Sequence, residues 1–486
     1  MPRLRHLTLD GRTLEGGGQL LRTAICLSAL TSTPLKIHHI RGNRSGGGGL
    51  KAQHLASVKW LAEACDAHVE GGEKGSTDLL FEPGQGRGRG KGVVGGDGVP
   101  AVFTKKTLPD GDGEKVWEAR LEIGTAGSTG LALQAILPFI LFTKLPGDAR
   151  LPVHLTLSGG TNVSGSPSYE YLSQVLLPML KAIGLPEMKT VLHKRGWSQG
   201  GSSVGSLTIE IPTRKNVVLE AFTLAPPDLP FKTQGPLRRP RQMTATFVAP
   251  ISCHAHLKQV FVPRARELFV TKSDSAINDD DEPLPIAIRC TDSGHEKRLY
   301  LIAVLTVPTL TTTTASLDPT SPPTSPTDSI LASDWLYDKR IPVNSKTRPH
   351  DEVAENMAQR VLTELHQQWR SGAYVDEHLR DQLVIFQALA NGRSRVHPGY
   401  KAVLPAGTGE GEGEGDGGLR EPSLHTQTAE WVVNEMLGAE FDGSGRCEGV
   451  GFDGSEGIDW VRKVKEKKRA EDVNGLCRGI DGVNMT

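Results

Sequence analysis

The sequence predicts an α/β (α+β) fold in which a repeated α/β unit builds one large domain and a smaller α/β domain is inserted into it. Two observations predict this. Apolar positions switch between helical and strand spacing along the chain, with glycine-rich turns opening the helices. The same order then recurs further on, as expected of a repeated supersecondary unit. At 486 residues the chain is long enough for two or three domains and a sizeable core.

The elements read in order. Residues 19–31 (QLLRTAICLSALT) have helical spacing, Pro34 to Ile40 alternates like a strand, and residues 50–65 return to helical spacing. Glu15-Gly-Gly-Gly-Gln-Leu-Leu-Arg22 opens the first helix. Gly124-Thr-Ala-Gly-Ser-Thr-Gly130 opens another, running through Gln134, followed by the strand-like Val153 to Leu157 and by Gly159-Gly-Thr-Asn162. Residues 353–370 and 375–390 add two helix-like segments. The stretch 197–308 lacks the repeating order and reads as the inserted smaller domain.

Three segments read as low-complexity insertions: 84–98 (glycine-rich), 309–328 (Thr/Ser/Pro-rich) and 406–419 (glycine and acidic). None can bury enough apolar surface to offset chain entropy. The middle one lies between two apolar runs, Leu299–Val307 and Ile330-Leu331, and reads as an expanded loop joining two strands. This leaves a discontinuous repeated-unit domain at 1–196 and 329–440, and a C-terminal tail at 441–486 expected to lack fixed structure. The tail's basic stretch 461–469 reads as a solvated helix or an RNA contact.

Composition narrows the function classes. Formal net charge is −1, so no global field selects a partner. Residues 1–60 nevertheless hold nine Lys/Arg against two Asp/Glu, enough to attract a polyanion or simply to form a solvated basic face. Six cysteines lie far apart without a CxxC pair, so zinc spacing is absent. There is no apolar signal core at the N-terminus. The longest apolar run, Leu131 to Lys144, is interrupted by Gln134 and Pro138 and is too short to span a bilayer. A reducing, intracellular protein without a membrane partner is expected.

Several loops suit anion chemistry. Glycines at a helix start let backbone N–H groups approach a phosphate, which the helix dipole also favours; the Glu15–Arg22 turn has that form, though the same residues serve equally as a tight turn. It is neither a Walker loop nor GxGxxG. Arg41 and Arg44, beside a glycine run and followed by Gln53 and His54, can fork phosphate oxygens or form a solvated loop. Asp376 or Glu377 can cap the helix that carries Asp381 and Gln382. His425 stands at the junction between the acidic insertion and a helix-like segment, either as a helix-start residue or as a nucleophile toward phosphorus.

Taken together the motifs resemble the RNA 3′-terminal phosphate cyclase family, in its catalytic branch. Seven collinear blocks carry the resemblance: LEGGGQLLRTAICLSALT, IRGNRSGGGGLKAQHLASVKWLAEAC, EGGEKGSTDLLFEPG, GTAGSTGLALQAILP, GGTNVSGSPSYEY, VDEHLRDQLVIFQALANG and LHTQTAEWVV. They cover most of residues 7–440 outside the insertions. The resemblance implies repeated βαβαββ-type units with a small inserted domain. It also implies ATP and a divalent cation (Mg2+ or Mn2+) as cofactors, and RNA with a 3′-terminal phosphate as partner. It places a histidine nucleophile on His425, and adenylate-binding positions on Gln134, Pro167, His378, Asp381 and Gln382. Positions for phosphate and the RNA end fall on Glu15, Arg22, Arg41, Arg44 and Gln53, with Glu15 also implied at the metal.

This chain departs from the family pattern in three places. His378 replaces a tyrosine. The loop NRSGGGGLKAQH lacks the family's prolines and one arginine, with Lys51 standing in. The stretch after Arg195-Gly196-Trp197 is altered. Two other readings share the architecture: a non-catalytic cyclase-like factor in ribosomal RNA processing, and a carboxyvinyl transferase. Retention of His425 with Arg22, Arg41, Arg44 and Gln134 favours the enzyme. The insertions and the resemblance together point to the nucleus over the cytoplasm.

Overall fold

The structure of the protein is a computed structural model that describes residues 6–44, 46–86, 99–108, 113–145, 151–199, 201–213, 217–226, 238–269, 283–308, 328–339, 341, 349–401 and 418–454. Most of the three insertions, and the basic stretch 461–469, lie outside the described residues.

The first unit runs β1 (Leu7–Asp10), α1 (Gly18–Thr31), β2 (Leu35–His38), α2 (Ala52–Ala64), β3 (His68–Glu70) and β4 (Leu79–Glu82). Its sheet has the order β1-β2-β4-β3, with β1 and β2 parallel and the other pairs antiparallel. After the short β5 (Thr104–Thr107), the second unit repeats the plan. It comprises β6 (Lys115–Glu122), α3 (Thr129–Phe142), β7 (Val153–Gly159), a helical stretch, β8 (Lys189–Lys194) and β9 (Gly205–Ile211). The helical stretch is α4 (Tyr169–Tyr171), a π-helical turn (Leu172–Leu176) and α5 (Leu177–Ala182). The order β6-β7-β9-β8, with β6 and β7 parallel, reproduces the first sheet, and β5 is added at its edge.

The third unit is interrupted. It starts with β10 (Thr223–Leu224). The chain then builds a separate four-stranded sheet from β11 (Gln242–Ala249), α6 (Ile251–Leu268), β12 (Ile286–Asp292), β13 (Tyr300–Val307), β14 (Ser329–Leu336) and α7 (Pro349–Arg370). The third unit resumes with α8 (Glu377–Leu389), β15 (Asn391–Val396), α9 (Leu424–Leu437) and β16 (Arg446–Val450). Strand β15 lies parallel to β10 and antiparallel to β16. A bridge between Phe441 and Cys447 stands where the other units carry their fourth strand.

Two boundaries differ from the sequence expectation. The inserted unit spans β11 to α7 rather than 197–308, because β9 completes the second unit's sheet while β14 and α7 belong to the insert. The expected tail is folded as far as the described residues go, since β16 pairs with β15 across Asn391–Val450 to Arg395–Arg446. The predicted loop at 309–328 does join neighbouring antiparallel strands, β13 and β14.

Packing follows from period-two and helical patterning. All fourteen residues of α1 are buried, and the helix lies against α2, α3 and α9. A helix apolar or small on every side belongs in the middle of a core. In the insert, Met243, Ala245 and Phe247 of β11 join α6 and α7 in one apolar cluster, while Val248, Tyr300, Ile302 and Val304 face the core of the three repeats. The alternation along each strand lets one thin sheet serve both cores. Among the described residues no helix is long and apolar enough to cross a membrane.

Candidate active site

All eleven positions that the sequence singles out line a single cleft of about 850 Å³. They come from the turn before α1 and the helix itself, the Arg41–His54 loop leading into α2, α3, residues 163–168, and the starts of α8 and α9. The inserted unit forms a further wall.

His425 is the second residue of α9. Ser423 caps that helix, its Oγ accepting from the Thr426 N–H at 3.2 Å, and the cap fixes the direction in which His425 leaves the backbone. Its imidazole is half-exposed, with Nδ1 3.8 Å from Oε1 of the buried Glu15. Burial lowers the pKa of His425, and the cationic Arg22, Arg44 and His378 lower it further. The neutral imidazole, the form with a lone pair to offer, therefore predominates at neutral pH.

Glu15 is held from several sides. Its backbone N–H donates to Thr428 Oγ1 at 3.1 Å, and its Oε2 accepts from the Gly17 N–H at 3.1 Å. Oε1 makes an ion pair with Arg44. Gly18 leaves room for this corner, because a Cβ there would stand 2.8 Å from both Arg22 Nη1 and His54 Nε2. Buried Arg22 donates from Nη2 to Gln19 Oε1 at 2.6 Å while its Nε has no partner. Burial lowers its pKa to about 10, which leaves it cationic near neutrality.

Two expected phosphate contacts also hold the site together. Arg41 Nη1 donates to the carbonyls of Gly47 and Gly49 at 3.2 and 3.3 Å, bracing the glycine run. Gln53 Oε1 accepts from the Ser128 N–H at 3.2 Å and so ties the start of α2 to the start of α3. His54, buried beside Arg22, Arg41 and Lys51, has its pKa pushed down to about 3, chiefly by burial.

Asp376 caps α8, its Oδ1 accepting from the Leu379 N–H at 2.9 Å and from the Tyr171 hydroxyl at 2.7 Å. His378 faces the cleft from the first turn. Burial alone would lower its pKa, but Asp376, Asp334 and Asp381 outweigh it and raise it. Burial raises the Asp381 carboxyl to about 7, against the opposing pull of Arg22 and His378. Pro167 packs over Gly130, where a Cβ would meet the Pro167 carbonyl at 2.5 Å.

The arrangement can hold a nucleotide. Gln134 Oε1, Asp381 Oδ1 and Gln382 Oε1 are buried acceptors without a hydrogen-bond partner, and all three residues line the cleft. Orphaned buried acceptors are costly unless a donor, such as a nucleobase amine, completes them. For a divalent cation the fit is narrower. Among the described residues no group of three or more His, Cys, Asp or Glu could hold a metal. Glu15, whose Oε1 is paired with Arg44, fits only a cation held mainly by substrate phosphates.

Asp334, Trp335 and Arg360 of the inserted unit also line the cleft, as do Tyr171 and Tyr300. A polar chain runs from Ser168 through the Tyr300 hydroxyl (2.6 Å) to Asp334 Oδ2 (2.8 Å), linking insert and repeats. The sequence carries no local signal for these residues, since β14 and α7 read only as a strand and an amphipathic helix.

The fold and site define an α/β protein of three repeats and an insert around an arginine-rich, histidine-bearing cleft. The family model for RNA 3′-terminal phosphate cyclase matches residues 13–442, and the chain belongs to that family. The RNA 3′-terminal phosphate cyclase of Pyrococcus furiosus is 37% identical over 216 residues, covering 44% of this chain and 53% of that protein. That of Ignicoccus hospitalis is 40% identical over 199 residues, covering 41% and 46%. The matched stretch of the chain thus spans about half the length of these two relatives. The cyclase of Pyrobaculum aerophilum is 26% identical over 451 residues, covering 91% and 98%.

Proposed function

We propose that the protein converts an RNA 3′-terminal phosphate to a 2′,3′-cyclic phosphodiester at the expense of ATP, with His425 as the nucleophile. The convergence of all eleven positions on one cleft carries this reading. His425 Nε2 forms a bond to the α-phosphorus of ATP as the bond to pyrophosphate breaks. An oxygen of the RNA 3′-phosphate then attacks that phosphorus and releases the histidine. The neighbouring 2′-oxygen attacks the 3′-phosphorus, AMP leaves, and the hydroxyl proton passes to solvent.

The chain's own residues fit these tasks. Glu15 orients the imidazole through Nδ1, leaving Nε2 for attack. Arg22 and Arg44 offset negative charge on the phosphates, the largest demand in phosphoryl transfer. Gln134, Asp381 and Gln382 receive the base, with Pro167 and His378 beside it. A divalent cation, Mg2+ or Mn2+, near Glu15 would neutralise further phosphate charge. The ribose itself holds the 2′-hydroxyl beside the activated phosphate, so proximity supplies much of the final step.

The test is transfer of label from α-labelled ATP in the presence of the metal. An acid-labile, alkali-stable label on the wild type, absent from His425→Ala, is expected; no label under any metal or pH condition would refute the reading. Residence in the nucleus belongs to the same proposal and is tested by imaging the tagged full chain.

A further inference from the structure

We propose that the Trp335–Arg360 pair on the inserted unit is a stacking subsite for the RNA chain on the 5′ side of the reacting end. The inference rests on the cyclase reading above and adds where the rest of the strand goes. Neither residue belongs to a block that resembles the family.

The pair is built rather than incidental. The guanidinium carbon of Arg360 lies 4.5 Å from the centroid of the Trp335 ring. Arg360 Nε donates to Glu364 Oε1 at 2.9 Å, and Glu364 Oε2 accepts from Ser333 Oγ at 3.0 Å. The indole is set in turn by Tyr337, 5.4 Å away and tilted by 62°. A guanidinium over an indole and tethered at Nε is restrained, and both residues line the cleft.

The two walls differ in charge. Arg22, Arg41, Arg44 and Lys51 stand on the repeat side. On the insert side Asp334 and Asp338 face the cleft, Glu364 balances Arg360, and the Lys339 ammonium lies 5.7 Å from the centroid of the Trp335 ring. Phosphates are drawn to the first wall in preference to the second. A nucleotide chain threading the cleft therefore turns its bases toward the insert. What the insert offers there is a flat, charge-compensated platform, and unpaired bases stack on arginine planes and aromatic rings whatever their sequence.

The experiment compares 3′-phosphorylated uridine with the 3′-phosphorylated uridine tetranucleotide. Affinities for the full chain are measured by competition against a fluorescent tetranucleotide. Wild type is expected to bind the longer ligand at least about tenfold tighter. Arg360→Ala is expected to shrink that ratio roughly five- to hundredfold. Taking the ratio cancels any general loss of protein. Arg360→Lys, which keeps the charge but not the plane, is expected to shrink it nearly as far. An unchanged ratio in Arg360→Ala, or a full ratio in Arg360→Lys, overturns the stacking subsite. A wild type that takes label from ATP but gains nothing with length sinks the subsite alone. A wild type that neither takes label nor binds either ligand sinks the cyclase reading with it.

Discussion

Oε1 of Glu15 stands 3.8 Å from Nδ1 of His425, joining the first glycine turn of the chain to the last helix of its core. The same glutamate is fixed by Thr428, Gly17 and Arg44. In the proposed reaction His425 attacks through Nε2, and a carboxylate on the Nδ1 side favours the proton on that other nitrogen.

Glu15→Gln keeps the size of the side chain but removes the charge that attracts the Nδ1 proton. Labelling of His425 by ATP is expected to slow roughly 10- to 100-fold, the usual cost of a misdirected reacting group. Thermal stability should change little by comparison. Single-turnover labelling rates check this; an unchanged rate means that Glu15 does not orient the histidine.

Labelling should also report the lowered pKa of His425. In the proposed reaction the free base attacks, so the rate is expected to stay flat through neutral pH and to fall only below the ordinary imidazole range near 6.5. Arg44→Met removes one of the cations that lower the pKa, so its acid limb should move to higher pH. A limb that stays put in this variant excludes Arg44 as a cause.

Gly130→Ala tests the seat of the base. The added methyl would meet the Pro167 carbonyl at 2.5 Å, so Pro167 must shift away from α3. The concentration of ATP giving half-maximal labelling is expected to rise roughly tenfold, with His425 still labelled at saturation. An unaltered ATP dependence would show that Pro167 does not border the nucleotide.

His54 links stability to pH. Its folded-state pKa of about 3 lies below the unfolded value, so the unfolded chain takes the proton first as pH falls. Stability is therefore lost progressively from about pH 6.5 downward, by roughly 1–2 kcal/mol between pH 7 and 5. His54→Gln should flatten that slope in urea unfolding. Equal slopes in the two proteins would mean that His54 takes its proton at the same pH in the folded and the unfolded chain.

Much of this was legible in the sequence. The helices at 18–31, 52–64 and 377–389 agree with their apolar spacing, and the glycine turns fall where helices start. The clustering of the eleven positions followed from the order of the family blocks, not from periodicity. What stayed hidden depends on pairing between distant strands. Residues 205–211 look alike whether they join the second sheet or the insert, and only the register with Val153–Gly159 decides. Arg360 was hidden for the same reason: on α7 it is one more charged residue on a polar face until β14 brings Trp335 beneath it.

The burial of every residue of α1 beneath α9 bears on how the protein is made. A ribosome releases α1 early, yet the helix that covers it and carries His425 emerges near the end of the described chain. Until then the apolar centre of the nascent protein lacks one of the helices that cover it. Any product cut short before residue 424 lacks that cover and is exposed to quality control, and under the proposed reaction it also lacks the group that attacks ATP.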